Sequence, residues 1–217
     1  METKVYNFTN KRIEKMGYMI SLPEGYSREK KYPLLVCLHG AGERGEDTSL
    51  VLVHGVAKYV SLGMKLDAIV VAPQCPKELV WNLLTFELKE LIDYIASEYS
   101  VDMDKISLTG LSMGGFGTWE MGISFPGFFS ALAPVCGGGM SWRASLIGKT
   151  PVWAFHGDAD TVVPPENSYM MVDALRRAGG NVRLNVLHAV GHNSWEGAYE
   201  DSRVIEWLIS QSRENNV

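Results

Sequence analysis

The stretch Gly110-Leu111-Ser112-Met113-Gly114 constrains this chain more than any other. A short apolar, β-branched run over residues 106–109 leads into it, and a helical pattern over residues 113–125 follows. Strand, G-x-S-x-G, helix is the setting of a nucleophile elbow. The turn is too tight for side chains at its flanks, so glycines stand two before and two after the serine. Such a turn lifts Ser112 Oγ clear of a sheet. It also aims the backbone N–H of Met113 at the space above, where the start of the helix adds positive potential.

A chain of 217 residues is long enough for one α/β domain with a sizeable core, and a single domain over residues 1–217 is expected. The net charge of −5 argues against a nucleic-acid or anionic-membrane partner. No apolar run approaches the ~20 residues of a membrane span. Cys37, Cys75 and Cys136 are odd in number and form no C-x-x-C pair, so reduced thiols are expected rather than a disulfide framework. The first fifteen residues are polar and lack a signal-type apolar segment, which with the thiols predicts a cytoplasmic protein. Asp102 and Asp104 form a D-x-D pair without further ligands, so a capped turn is expected there. No metal and no cofactor are expected. The sequence does not set an oligomeric state.

Residues 5–8 and 16–22 have the look of short strands at a sheet edge. Residues 33–38 and 68–72 are continuous apolar runs of strand length, the pattern of strands buried on both faces. Further strands are predicted over 129–135, 151–155 and 182–187. Helices are predicted over 48–62, 86–99, 166–178 and 195–211. This alternation predicts an α/β fold, a mostly parallel, doubly wound sheet with helices on both faces. Its functional loops then lie at the carboxyl ends of the strands. Loops of unusual chemistry begin at His39, Ser112, Asp158 and His192, all at such ends.

Six motifs occur in order: Leu38-His39-Gly40-Ala41-Gly42-Glu43-Arg44-Gly45, Ala72-Pro73-Gln74-Cys75-Pro76, Gly110-Leu111-Ser112-Met113-Gly114-Gly115, Pro134-Val135-Cys136-Gly137-Gly138-Gly139, His156-Gly157-Asp158-Ala159-Asp160 and Gly191-His192-Asn193-Ser194-Trp195. Across residues 16–210 the set resembles the α/β-hydrolase superfamily. The likeness is to small bacterial carboxylesterases of phospholipase-like or dienelactone-hydrolase-like type, related to polyhydroxybutyrate depolymerases and feruloyl or acetylxylan esterases. The resemblance implies an α/β-hydrolase fold without a lid domain.

A serine hydroxyl needs an adjacent base, and the base needs an acid to fix its tautomer. In the family's chain order of serine, acid, histidine, Ser112 is followed by Asp160 and His192. His39 and His54 precede the serine and His156 precedes the acid. His39 is read as shaping its loop and His188 as a structural or rim residue. Asp158 competes for the acid's place, but it abuts Gly157 where it can cap the turn, so Asp160 is favoured. The resemblance implies Ser112 as nucleophile, Asp160 as acid, His192 as base, and oxyanion N–H groups from Met113 and Ala41, with Gly42 the alternative to Ala41.

Glu43 and Arg44 lie on the loop after residue 38, free to pair with each other or to face an acyl or alcohol group. Glu43, Trp81 and Trp195 are the candidate substrate-binding residues, Trp142 a further aromatic, with core packing the competing role for any tryptophan. The expected partner is a small-molecule ester, short-chain or polar. Two other readings share the scaffold: a small serine peptidase or amidase like prolyl oligopeptidase, and a catalytically silent binding protein. The complete triad argues against the silent one. Dienelactone hydrolases proper use a cysteine where Ser112 stands, and the chain is too short for a propeller domain of the oligopeptidase kind.

Overall fold

The apolar runs between turn residues all become strands of one sheet in a computed structural model that describes residues 1–13, 15–201 and 203–215. The strands are β1 (Glu2–Phe8), β2 (Met16–Leu22), β3 (Tyr32–Leu38), β4 (Ile69–Pro73), β5 (Val101–Leu111), β6 (Ala131–Val135), β7 (Val152–Gly157) and β8 (Val182–Leu187). The helices are α1 (Gly55–Ser61), α2 (Thr85–Glu98), α3 (Met113–Ser124), α4 (Glu166–Arg177), α5 (Trp195–Tyr199) and α6 (Arg203–Ser210). The sheet runs β1-β2-β4-β3-β5-β6-β7-β8. β2 is antiparallel to β1 and to β4, and every pairing from β4 through β8 is parallel. That is the mostly parallel α/β-hydrolase architecture expected.

Side chains alternate along a strand, so each central strand feeds two cores. Leu34, Val36 and Leu38 of β3 enter one with Leu88, Leu91 and Trp119 of α2 and α3. Leu35 and Cys37 enter the other with Val56, Ile205 and Leu208 of α1 and α6. Burial on both faces is what made residues 33–38 and 68–72 read as unbroken apolar runs. Each such fully buried side chain contributes about 1.5–3 kcal/mol over leaving it in water.

Three boundaries differ from expectation. Residues 48–62 are not one helix: a 3-10 turn over Thr48–Leu52 precedes α1. Gly55 divides them at φ +67, with Leu111 Cδ2 3.0 Å from where its Cβ would stand. Residues 195–211 split into α5, ending at Tyr199, and α6, starting at Arg203, whose N–H donates to the Asp201 carboxylate at 3.2 Å. Asp102 and Asp104 fall within β5. Its pairing jumps there, from Tyr32 opposite Val101 to Leu34 opposite Ile106, so the bulged strand carries the local Asp104 N–H to Asp102 bond expected of a turn. No helix among the described residues is long and apolar enough to cross a membrane.

Candidate active site

Ser112 follows β5 at the N-cap position of α3 with φ 53 and ψ −117, a conformation disfavoured for any residue with a Cβ. Two features hold it there. The Ser112 N–H donates to the Val135 carbonyl at 2.9 Å. A Cβ on Gly110 would collide with the Gly114 carbonyl, and one on Gly114 with the Leu38 carbonyl. The two glycines therefore let the first turn of α3 settle directly onto β5 and β3, which fixes the serine above the sheet.

His192 Nε2 lies 2.9 Å from Ser112 Oγ, and its Nδ1 lies 2.7 Å from Asp160 Oδ2. The other Asp160 oxygen, Oδ1, accepts the N–H groups of Val162 at 2.9 Å and Val163 at 3.0 Å. Burial alone would raise the Asp160 carboxyl. The bonds from His192 and from the Val163 and Val162 N–H groups outweigh it and hold the carboxyl below its ordinary value. An acceptor-only carboxylate facing Nδ1 puts a proton on Nδ1, which leaves Nε2 as the lone-pair nitrogen toward the serine.

The loop after β3 is fastened from below. His39 Nε2 accepts the Cys75 N–H at 2.9 Å, and its Nδ1–H donates to the Gly40 carbonyl at 2.6 Å. Burial pushes the imidazole down to about 4, so it is neutral in this role. Glu43 Oε2 accepts the Gly40 N–H at 2.8 Å. Ala41 opens a 3-10 turn and Met113 opens α3. First-turn N–H groups have no partner inside their own helix, so both are placed to serve as donors. Ala41 and Gly42 are exposed beside the half-buried Ser112.

Two of the candidate substrate residues are corrected. Trp81 is fully buried and donates its indole N–H to the His39 carbonyl at 2.9 Å. It is a core residue under the loop. Glu43 is also buried and its carboxylate is engaged with Gly40, so it shapes the loop rather than facing substrate. Arg44 does not pair with it, but donates to the carbonyls of Ala41 and Leu79. Trp195 does reach the site: its ring stands at 90° to His192 with centroids 5.5 Å apart, and His54 packs against it at 5.4 Å. Trp142 is exposed on the 3-10 turn Ser141–Ile147.

His188 is at the rim as expected, 2.8 Å from Asp158 Oδ2, and the Asp158 Oδ1 accepts the Ala189 N–H. Sequence reasoning missed two neighbours of the triad. One is the buried His156, 3.3 Å from Asp160 Oδ2, for which the i, i+4 spacing within His156-Gly157-Asp158-Ala159-Asp160 was the available signal. The other is Cys136. A ligand atom from each of Cys136, Asp160 and His192 lies within 4.8 Å of the others, close enough to hold a metal ion. Yet burial pushes the Cys136 thiol up to about 12, and Asp160 and His192 already bind one another. A protonated thiol is a poor ligand, so this donor set does not favour a metal at neutral pH.

An elbow serine, a buried aspartate and a histidine, all on carboxyl-end loops of a parallel sheet, define a protein of the α/β-hydrolase class. The chain belongs to the Esterase family, whose model matches residues 10–216. It is similar to a thermostable esterase of known crystal structure, at 34% identity and TM-score 0.85, covering 97% of this chain and 63% of that one. It shares its fold with the feruloyl esterase module from Clostridium thermocellum, solved with sinapinate, at 18% identity and TM-score 0.76 over 97% of this chain and 87% of that one. A poly(3-hydroxyoctanoate) depolymerase from Pseudomonas fluorescens is 26% identical over 162 residues, 64% of this chain and 58% of that protein. The chain thus spans less than two thirds of the length of the depolymerase and of the thermostable esterase.

Proposed function

We propose that the protein is a serine carboxylic-ester hydrolase that works through an acyl-enzyme on Ser112. The observation that carries this is the unbroken chain from Ser112 Oγ through His192 to Asp160, at 2.9 and 2.7 Å. Ser112 Oγ attacks the ester carbonyl while His192 Nε2 takes its proton. Asp160 keeps the imidazole in the tautomer that can do so and stabilises the imidazolium. The N–H groups of Met113 and Ala41 receive the negative charge that develops on the carbonyl oxygen, where each donor is worth ~3–4 kcal/mol. The tetrahedral intermediate collapses as His192 hands its proton to the departing alcohol. Water then enters by the same route and releases the acid.

The substrates are small esters with short or polar acyl groups. Supporting this, Ala41, Gly42 and Val162 are exposed on the loops that carry the proposed oxyanion N–H and Asp160. Family membership and the esterase and depolymerase relatives support the reaction class. The test is a p-nitrophenyl ester series from acetate to palmitate beside an aminoacyl anilide. Acetate and butyrate are expected to turn over fastest and the anilide not at all. Preference for the anilide, or turnover of neither while the protein is folded, would overturn the reading.

A further inference from the structure

We infer that His156 is a positioning residue for the triad, holding the Asp160 loop in place through the Val163 carbonyl. This rests on the esterase reading, since it assigns Asp160 its acid role. His156 is fully buried at the end of β7, and a buried imidazole needs both nitrogens satisfied. Its Nε2 is 2.9 Å from the Val163 carbonyl, which can only accept, so Nε2 carries a proton. The same Nε2 is 3.3 Å from Asp160 Oδ2. On the opposite side Nδ1 is 2.7 Å from Ser168 Oγ, which in turn lies 3.0 Å from the Gly137 carbonyl. The ring is thereby clamped between α4 and the Asp160 loop.

The consequence is a carboxylate fixed at both oxygens. Oδ1 is held by the N–H groups of Val162 and Val163, while Oδ2 faces His192 at 2.7 Å and His156 at 3.3 Å. Val163 is held at both ends of its residue, its N–H on Oδ1 and its carbonyl on His156. The Asp160 loop cannot rotate without breaking one of these.

The test uses two amides of different reach. His156→Gln places an N–H where Nε2 stands, and His156→Asn places one only where Nδ1 stands. With p-nitrophenyl acetate, His156→Asn is expected to lose ~10–100-fold in kcat, the usual scale for groups that orient a catalytic group, with KM within about 2-fold. His156→Gln recovers most of kcat. A folded His156→Asn protein with wild-type kcat overturns the inference. So does a His156→Gln protein that is as slow as His156→Asn at equal Tm. Should His156→Asn not fold, Ser168→Ala loosens the ring while leaving Nε2 in place. It must lower kcat several-fold with KM within about 2-fold, and a wild-type kcat overturns the inference. A wild-type protein that hydrolyses no ester refutes the esterase reading instead.

Discussion

Asp158 and His188 form a surface counterpart of the pair made by Asp160 and His192. Both pairs join the loop after β7 to the loop after β8, at 2.8 and 2.7 Å. They differ in setting. The Asp160 carboxylate is wholly buried, whereas the His188 ring is 95% exposed. An exposed pair contributes ~0–1 kcal/mol, so Asp158 ties two loops loosely together while Asp160 governs an imidazole. Asp160→Asn is expected to cost up to ~10⁴ in kcat through the wrong His192 tautomer. Asp158→Asn is expected to stay within about 3-fold, since it removes only that exposed pairing. Turnover measured on both variants decides it, and the reverse ranking would make Asp158 the acid.

Ala41, the proposed second oxyanion donor, can lose its N–H by one substitution. It is the first residue of its 3-10 turn, where proline is tolerated, and Gly40 before it is extended at φ −78 and ψ −172, as a proline requires. Ala41→Pro should therefore fold while lacking the N–H. A loss of ~10²–10³ in kcat with little change in Tm is expected. Full activity in the folded variant moves the donor to Gly42, which the same substitution would test.

Ser112 is half-buried with His192 Nε2 within hydrogen-bond reach of its Oγ, whereas Ser168, which faces His156, is shut inside the core. A serine-directed phosphonate is expected to label the protein once, at Ser112, and to leave it unlabelled in His192→Ala. Peptide mapping reads the site. Label on any other serine would refute the placement of the nucleophile.

The neutral His39 predicts acid lability. Its folded-state value of about 4 lies below the 6.5 it has when free, so the unfolded chain takes up a proton that the folded chain refuses. The stability it contributes is full above pH 6.5 and is lost as pH falls toward 4, by on the order of 3 kcal/mol. Protonation would also cost the bond from Cys75 to Nε2. His39→Asn should start lower in stability but lose less between pH 7 and 5, as followed by urea midpoints. Parallel slopes for the two proteins would refute this.

The strands and the triad were legible in the sequence because each was encoded locally. Burial on both faces wrote itself as runs such as residues 33–38, and the elbow's steric demands wrote themselves as Gly110 and Gly114. Roles set by distant contacts were not legible. Trp81 and Glu43 sit near the site in sequence, but whether they face it depends on the carbonyl of His39 and the N–H of Gly40. His156 was set aside on chain order alone, an argument about the base that says nothing of a second imidazole. The breaks at Gly55 and Asp201 fell inside apolar periodicity that continued past them, so pattern alone joined the segments.

Ser112 and His192 are 80 residues apart along the chain, and Asp160 and His192 are 32 apart. Their contact requires β5, β6, β7 and β8 to be paired in order across the sheet. Loop closure over such separations is slow, whereas the helices are short-range structures that form early. Hydrolysis is therefore a late clock on refolding: after dilution from denaturant, helical circular dichroism should return before the first substrate is cleaved. The interval between the two signals measures how long this chain takes to bring its last strands into register.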